Sequence, residues 1–145
     1  MNENNEMIAF IYQNASMGVK TLTTLIRILN TKDNKIKKIV EGELKGYEEF
    51  VKKSEKLMKK NKLEVPATGM IADITSKISM NMEMMKDNSD SRVADMLIKG
   101  FTMGNVDISK KIDKFEGDCE KDIIKLAREL LEFGQKNIEI LKPYL

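Results

Sequence analysis

Apolar residues recur along this chain at alternating steps of three and four, the spacing that keeps side chains on one face of an α-helix. The first such stretch covers residues 3–30 and has apolar positions at Ile8, Ile11, Ala15, Gly18, Leu22, Leu25 and Leu29. Polar residues 30–34 interrupt the pattern, and Asp33 is placed to cap a second helix. We therefore predict two antiparallel helices joined by a short turn.

The second predicted helix carries a carboxylate in the middle of its apolar face. That face holds Ile36, Val40, Glu43, Tyr47, Phe50, Ser54 and Leu57. The pattern fades through Asn61, and Pro66 with Gly69 marks a break. Because Glu43 shares the face of Val40 and Tyr47, we expect it to be buried.

Three more helices follow the break. The third is shorter and covers about 68–86, the fourth runs from Ser89 or Asp90 to about 114, and the fifth covers about 118–142. Phe115 to Gly117 forms the last turn, and Pro143 ends the fifth helix. Leu131 and Ile138 widen the apolar arc of this helix, as expected where neighbouring helices or a second subunit contact it on two sides.

The fold class predicted from these elements is all-α, because no stretch shows the alternation of a β-strand. If the first helix runs up and the second down, the third, about 28 Å long, can carry the chain back up the bundle. The fourth and fifth helices then run down and up. We predict one domain over residues 1–145: an up-down bundle of four long helices plus a shorter crossover helix.

Composition narrows the possible environments and partners. Charged residues make up 33% of the chain, yet the formal net charge is only +2 with both signs interspersed, so neither nucleic acid nor an anionic membrane is an expected partner. No apolar run approaches the length of a membrane span, and no basic segment precedes an apolar run at the N-terminus, so we expect a cytoplasmic location. The single cysteine, Cys119, falls on the seam of the fifth predicted helix and is interpreted as a small buried residue.

A buried Glu43 needs a partner, because an ionisable group in an apolar interior is costly unless it is paired. Antiparallel packing of the second and fifth predicted helices brings Asn137 to within about one turn of Glu43 in height. We expect the Asn137 amide, the Tyr47 hydroxyl or a buried water to bond Glu43. A structural polar cluster of Glu43, Tyr47 and Asn137 is the favoured interpretation, and a weak metal site or a ligand pocket is the alternative.

The helix order, with central stretches at residues 12–18 and 42–47, resembles the ferritin-like bundle, especially small bacterial ferritin-like families of unassigned function. In ferritin-like oxidases, this resemblance implies carboxylates from two helices and a Glu-x-x-His motif from each of two others, converging on two irons. The sequence contains no histidine. We therefore predict a ferritin-like scaffold without the di-iron site, and we assign no metal ligand, no cofactor and no catalytic residue.

Two further patterns bear on packing and partners. Gly42 and Gly46, like Gly100 and Gly104, are four apart within a helix, which predicts close approach of helix backbones or, alternatively, space for a pocket at mid-bundle. In the methionine-rich third helix, Met80 and Met84 face outward. We interpret them, with Leu131 and Ile138, as an apolar interaction surface, with a copper site or ordinary exposure as alternatives for the two methionines.

The function predicted from the sequence is that of a structural or interaction protein without enzymatic activity. No histidine is available to activate a serine or cysteine, and no glycine-rich loop follows a strand to hold phosphate. We expect a homo-oligomer, with a dimer favoured, and allow for a protein partner. The alternative is a ferritin-like protein that binds a metal or small molecule at an unconventional site around Glu43.

Overall fold

The computed structural model describes residues 2–29, 34–64 and 89–145, and these ranges contain helices and no strand. The four α-helices are α1 (Glu3–Leu29), α2 (Lys37–Lys60), α3 (Asp90–Phe115) and α4 (Lys121–Leu141), and a short 3-10 helix (Lys142–Tyr144) follows α4. The all-α prediction is therefore confirmed for this part of the chain. The predicted third helix, about 68–86, lies outside the described residues, so α3 and α4 are the fourth and fifth predicted helices.

The helix ends agree with the sequence at some places and differ at others. Ser89 caps α3 as expected, because its Oγ accepts a hydrogen bond of 3.3 Å from the Arg92 amide. In contrast, α4 begins only at Lys121, so the prediction that Cys119 lies on a helical seam is wrong. Cys119 lies in the preceding turn, where it is half-buried and its Sγ–H donates to the Glu3 carbonyl oxygen at 3.3 Å.

The N-terminus of α2 is held in part by a residue at the start of α3. Ile36 occupies the N-cap position and supplies no capping side chain, and Asp33 lies outside the described residues. Instead, Asp90 at the start of α3 accepts hydrogen bonds from the Asn34 side-chain amide at 3.0 Å and the Ile36 backbone amide at 3.5 Å. The starts of α2 and α3 are thus joined at one end of the bundle.

Two apolar clusters give the direction of each helix. One cluster joins the start of α1, the end of α2, the end of α3 and the start of α4, with Met7, Met58, Phe115 and Ile123 among its buried members. The other cluster joins the four opposite ends, with Leu29, Ile36, Val93 and Leu141 among its members. Accordingly α1 runs up, α2 and α3 run down, and α4 runs up.

The packing of the four helices follows from these directions. α1 packs along α2 and α3 along α4, so each pair forms an antiparallel hairpin. α2 also contacts α4, α1 contacts α3, and α1 and α4 touch across the interior. The wide apolar arc of α4 is therefore explained by contacts with all three other helices. None of the helices in the described ranges combines the length and the apolar character needed to cross a lipid bilayer.

Candidate functional site

Midway along the bundle, each helix presents a glycine to a larger side chain of a neighbouring helix. The contacts join α1 to α2, α2 to α4, α4 to α3 and α3 back to α1, so they close a circuit around the bundle. The four contacts pair Gly18 with Tyr47, Gly46 with Phe133, Gly134 with Asn105, and Gly104 with Asn14. We call these eight residues the glycine ring.

Three of these glycines have no room for a side chain. A Cβ atom on Gly18 would lie 2.6 Å from the Tyr47 ring, and a Cβ atom on Gly46 would overlap the Phe133 ring. A Cβ atom on Gly134 would overlap the side chain of Asn105. The fourth contact is ordinary, since a Cβ atom on Gly104 would lie 3.7 Å from the nearest Asn14 atom. The absent side chains therefore leave space at one level for larger side chains of the neighbouring helices.

An aromatic cluster adjoins the glycine ring and shares Tyr47 and Phe133 with it. Tyr47 lies parallel to Phe101 at a centroid distance of 6.0 Å, with only 6° between the ring planes. Phe133 meets Tyr47 edge-on at 5.0 Å and Phe101 edge-on at 6.1 Å. Phe50 adds a fourth ring, 5.5 Å from Phe133. Because α2, α3 and α4 each contribute at least one ring, this cluster holds three helices together at mid-height.

Glu43 lies on α2 one turn from Tyr47 and is buried, as predicted, with only 1% of its surface exposed. Neither of its carboxyl oxygens has a hydrogen-bond partner among the described residues. Burial removes water from the charged form, and this raises the pKa of Glu43 from 4.5 to about 8. Glu43 is therefore a neutral carboxylic acid at pH 7.

Tyr47 is also held in its neutral form. Burial raises the pKa of the Tyr47 hydroxyl above its ordinary value, and the nearby carboxyl of Glu43 raises it further. The order of titration explains the second effect, because Glu43 is already an anion at any pH where Tyr47 would lose its proton. The pair thus contributes no charge to the interior at neutral pH.

Asn137 is buried on α4, and the helix register places it near the height of Glu43. Phe133 packs on Gly46, and one turn from that contact, in the same direction along the bundle, leads to Glu43 on α2 and Asn137 on α4. However, the Asn137 side-chain nitrogen donates to the Phe133 carbonyl oxygen of its own helix at 2.8 Å. The direct hydrogen bonds expected from Asn137 and Tyr47 to Glu43 do not form between these residues.

The chemistry available to Glu43 is limited by its isolation. It is the one acidic or basic side chain that is fully buried among the described residues. The same part of the chain contains no group of three or more His, Cys, Asp or Glu residues arranged to hold a metal ion. A single protonated carboxyl can donate one hydrogen bond and accept others, but it cannot by itself supply the several ligands of a metal site.

In each of the two glycine pairs identified in the sequence, one glycine contacts a neighbouring helix and the other does not. Gly46 and Gly104 take part in the glycine ring, whereas an added Cβ on Gly42 or Gly100 would meet nothing within 4 Å. Gly100 is exposed on α3 and meets no neighbouring helix among the described residues, so the close helix approach predicted for it is wrong. Its outward position reflects the arc of α3, on which Leu97 and Phe101 take the inward places.

The residues predicted to form an interaction surface are divided between interior and undescribed positions. Leu131 and Ile138 are only partly buried, and each packs against one of the two apolar clusters. Met80 and Met84 lie outside the described residues. Large apolar side chains are exposed at other positions: Met103 (70%) and Val106 (48%) on α3, Ile140 on α4 and Leu145 after it.

A separate groove of about 610 Å³ lies beside the first half of α4. Charged side chains of both signs line most of it, and Arg128 within it is paired with Glu116. Cys119 also lines the groove, and burial, together with the negative charges of Asp118, Glu3 and Glu6, raises the pKa of its thiol. A raised pKa keeps the sulfur protonated and therefore weakly nucleophilic.

No family model, curated protein or solved structure matches this chain.

Matched glycine substitutions in α2 test the ring. Gly46→Ala forces a methyl group against Phe133, which other rings hold in place, so we expect a loss of about 1–3 kcal/mol in the free energy of unfolding. Gly42→Ala, one turn earlier on the open face, should gain up to about 1 kcal/mol through helix propensity. Urea denaturation measures both values, and equal stabilisation by the two substitutions would contradict the close packing.

The pH dependence of stability tests the state of Glu43. Between pH 4.5 and about 8 only the folded chain holds the proton, so the free energy of unfolding decreases as the pH rises through this window. Glu43→Gln should remove this decrease, which amounts to on the order of 4 kcal/mol between pH 5 and pH 8. Glu48→Gln, at an exposed position of the same helix, is the control. Parallel pH profiles for wild type and Glu43→Gln would show that Glu43 titrates normally.

Proposed function

We propose that this chain is a ferritin-like helical bundle without enzymatic activity, which acts as a structural or interaction protein and self-associates, with a dimer as the favoured state. The observation that carries this proposal is the filling of the mid-bundle. In ferritin-like oxidases the metal centre is built there from inward carboxylates and histidines. In this chain the corresponding level is occupied by the glycine ring and the aromatic cluster.

The packed rings also make the middle of the bundle difficult to open. Tyr47 and Phe133 occupy positions from which a side chain on α2 or α4 could reach the interior, and each ring rests on a glycine of a neighbouring helix. Aromatic contacts of this kind are stabilising beyond the area they bury. Opening a substrate-sized space would require rings in contact with three helices to move together, so a packing role fits this arrangement better than a catalytic one.

The ferritin-like part of the proposal is supported by the helix directions. α2 and α3 run the same way, so the chain between them has to join opposite ends of the bundle. α2 has 24 residues, which corresponds to about 36 Å. A crossover helix over about 68–86, roughly 28 Å long, would cover most of this distance. We therefore retain the predicted crossover as part of the proposed architecture.

A second candidate function, binding of a metal or small molecule around Glu43, is favoured by one observation. Both carboxyl oxygens of Glu43 are buried without a hydrogen-bond partner among the described residues, and such groups are rare in stable interiors. A bound cation or hydrogen-bond donor would satisfy them. Against this, a cation would have to displace the proton of a carboxyl whose pKa is about 8 and would find few other ligands nearby.

Elemental analysis and sedimentation of protein purified without a histidine tag test the two candidates together. We expect less than stoichiometric iron, manganese, zinc and copper, and a sedimentation coefficient that rises with protein concentration towards that of a dimer. A stoichiometric metal that is lost on Glu43→Gln substitution would favour the second candidate. A monomer at every concentration would contradict self-association.

A further inference from the structure

The outer face of α3 carries two of the four large apolar side chains that are exposed among the described residues. Met103 lies at its centre, with Gly100 and Val106 three residues away on either side and Met96 two turns before it. At 100° per residue all four lie within about 60° of Met103 around the helix. Met103 and Val106 are exposed, and Met96 is partly buried. We call these four residues the α3 strip.

Gly100 has no role within the bundle that would explain it. It lies in the interior of a helix, where glycine is unfavourable, and an added Cβ would meet nothing within 4 Å. The other helical glycines, except Gly42, make contacts with neighbouring helices. A glycine beside two exposed apolar side chains suits close approach of a helix from outside the chain.

We propose that two copies of this chain pair through the α3 strip, with the two α3 helices antiparallel about a two-fold axis at Met103. This inference names the surface of the self-association put forward under Proposed function and rests on it. A two-fold interface brings the same patch of both copies together, so the patch must be complementary to its own reverse. The α3 strip and its flanks meet this requirement in both charge and shape.

The charges flanking Met103 are opposite on its two sides. Lys99 lies four residues before Met103 and Asp107 four residues after it, about 6 Å away in each direction along the helix. In the antiparallel pair, Lys99 of each copy therefore comes to the same height as Asp107 of the other. Both side chains are exposed; Asp107 makes no ion pair with the described residues, and the contact of Lys99 with Asp95 is on the surface.

The shapes match in the same reversed order. Val106 of each copy comes to the height of Gly100 of the other, so a branched side chain lies level with a position that has none. Met103 meets its own counterpart on the axis, where an unbranched thioether can adapt to an irregular gap. One turn further out, the aliphatic part of Lys110 comes to the height of Met96, and such stems readily cover apolar surface.

The other candidate surface offers less for self-pairing. Leu131 and Ile138 pack partly into the bundle, and burying them against a second copy would add little apolar area. The α3 strip is short, so the interface lies at the small end of the range for specific complexes. We expect a dissociation constant on the order of micromolar, which sedimentation can follow across the accessible concentrations.

The antiparallel geometry makes a specific prediction about charge variants. Lys99→Asp places two acids at each contact of a homodimer, and Asp107→Lys places two bases there. We expect each variant alone to dimerise at least roughly tenfold more weakly than wild type, since like charges facing each other are penalised. Mixed together, the two variants restore opposite charges at both contacts. Sedimentation of the mixture should therefore show a heterodimer close to wild-type affinity.

Gly100→Ala and Gly42→Ala are a matched pair of variants that tests whether the dimer needs space at Gly100. Both add one methyl group at an open helical position, but only Gly100 belongs to the α3 strip. We expect Gly100→Ala to weaken dimerisation severalfold while leaving the monomer as stable as Gly42→Ala does. Gly42→Ala should leave dimerisation unchanged.

The outcomes separate this inference from the self-association on which it rests. A wild-type dimer that survives the charge variants and Gly100→Ala overturns the α3 strip and leaves self-association standing. Loss of the dimer on joint Met80→Lys and Met84→Lys substitution, with the α3 variants still dimeric, moves the interface to the predicted third helix. A wild-type monomer throughout overturns both proposals. The antiparallel pair is established if each charge variant alone dimerises weakly and the mixture of the two regains the affinity of the wild type.

Discussion

The fit of a larger side chain against a glycine of a neighbouring helix, repeated at one level on all four helices, is the interaction on which the rest of this bundle depends. Each helix reaches that level with a glycine and meets a larger side chain from its neighbour, and the circuit closes only because all four contacts occur together. Close contact at mid-height leaves the two apolar clusters on either side of it, one towards each end of the bundle. Tyr47 and Phe133 pack against both clusters, so the ring also joins the two halves of the core.

This arrangement determines the state of Glu43. One turn from Tyr47 and beside a tightly packed aromatic cluster, the carboxyl has little access to solvent and no charged partner. An isolated carboxylate in such surroundings is more costly than a carboxylic acid, so the group keeps its proton to a higher pH. The same packing that closes the middle of the bundle therefore also removes the negative charge that metal chemistry would need.

The sequence allowed the framework to be predicted because long helical periodicities are read directly from apolar spacing. The described extent of α1, Glu3–Leu29, lies within the predicted range 3–30, and the residue type of Ser89 indicates the cap of α3. The start of α2 was harder, because Asp90 is close to Ile36 only after folding. The prediction for Cys119 is wrong because the apolar spacing of α4 continues backwards into the preceding turn, which is not helical.

The candidate site, too, is predicted by the sequence only in part. The burial of Glu43 and Asn137 followed from their positions on apolar faces. The hydrogen bonding of Asn137 did not, because a side-chain amide can bond to its own helix, and apolar spacing does not distinguish that choice. Spacing singled out Gly42 and Gly100, which contact no neighbouring helix, together with Gly46 and Gly104, which do, and it gave no sign of the contact at Gly134. Which residues contact a neighbouring helix depends on how each helix is rotated about its own axis, and a rotation of a few tens of degrees changes the set.

The most direct test of this account is the ionisation of Glu43 itself. Carbon-13 NMR of protein labelled at the glutamate side-chain carboxyls follows each group through a pH titration, and comparison with Glu43→Gln identifies the resonance of Glu43. We expect this carboxyl to titrate with a midpoint near pH 8. A midpoint near the ordinary value of 4.5 would contradict this account, because the carboxyl would then be solvated or paired and the middle of the bundle would not be closed.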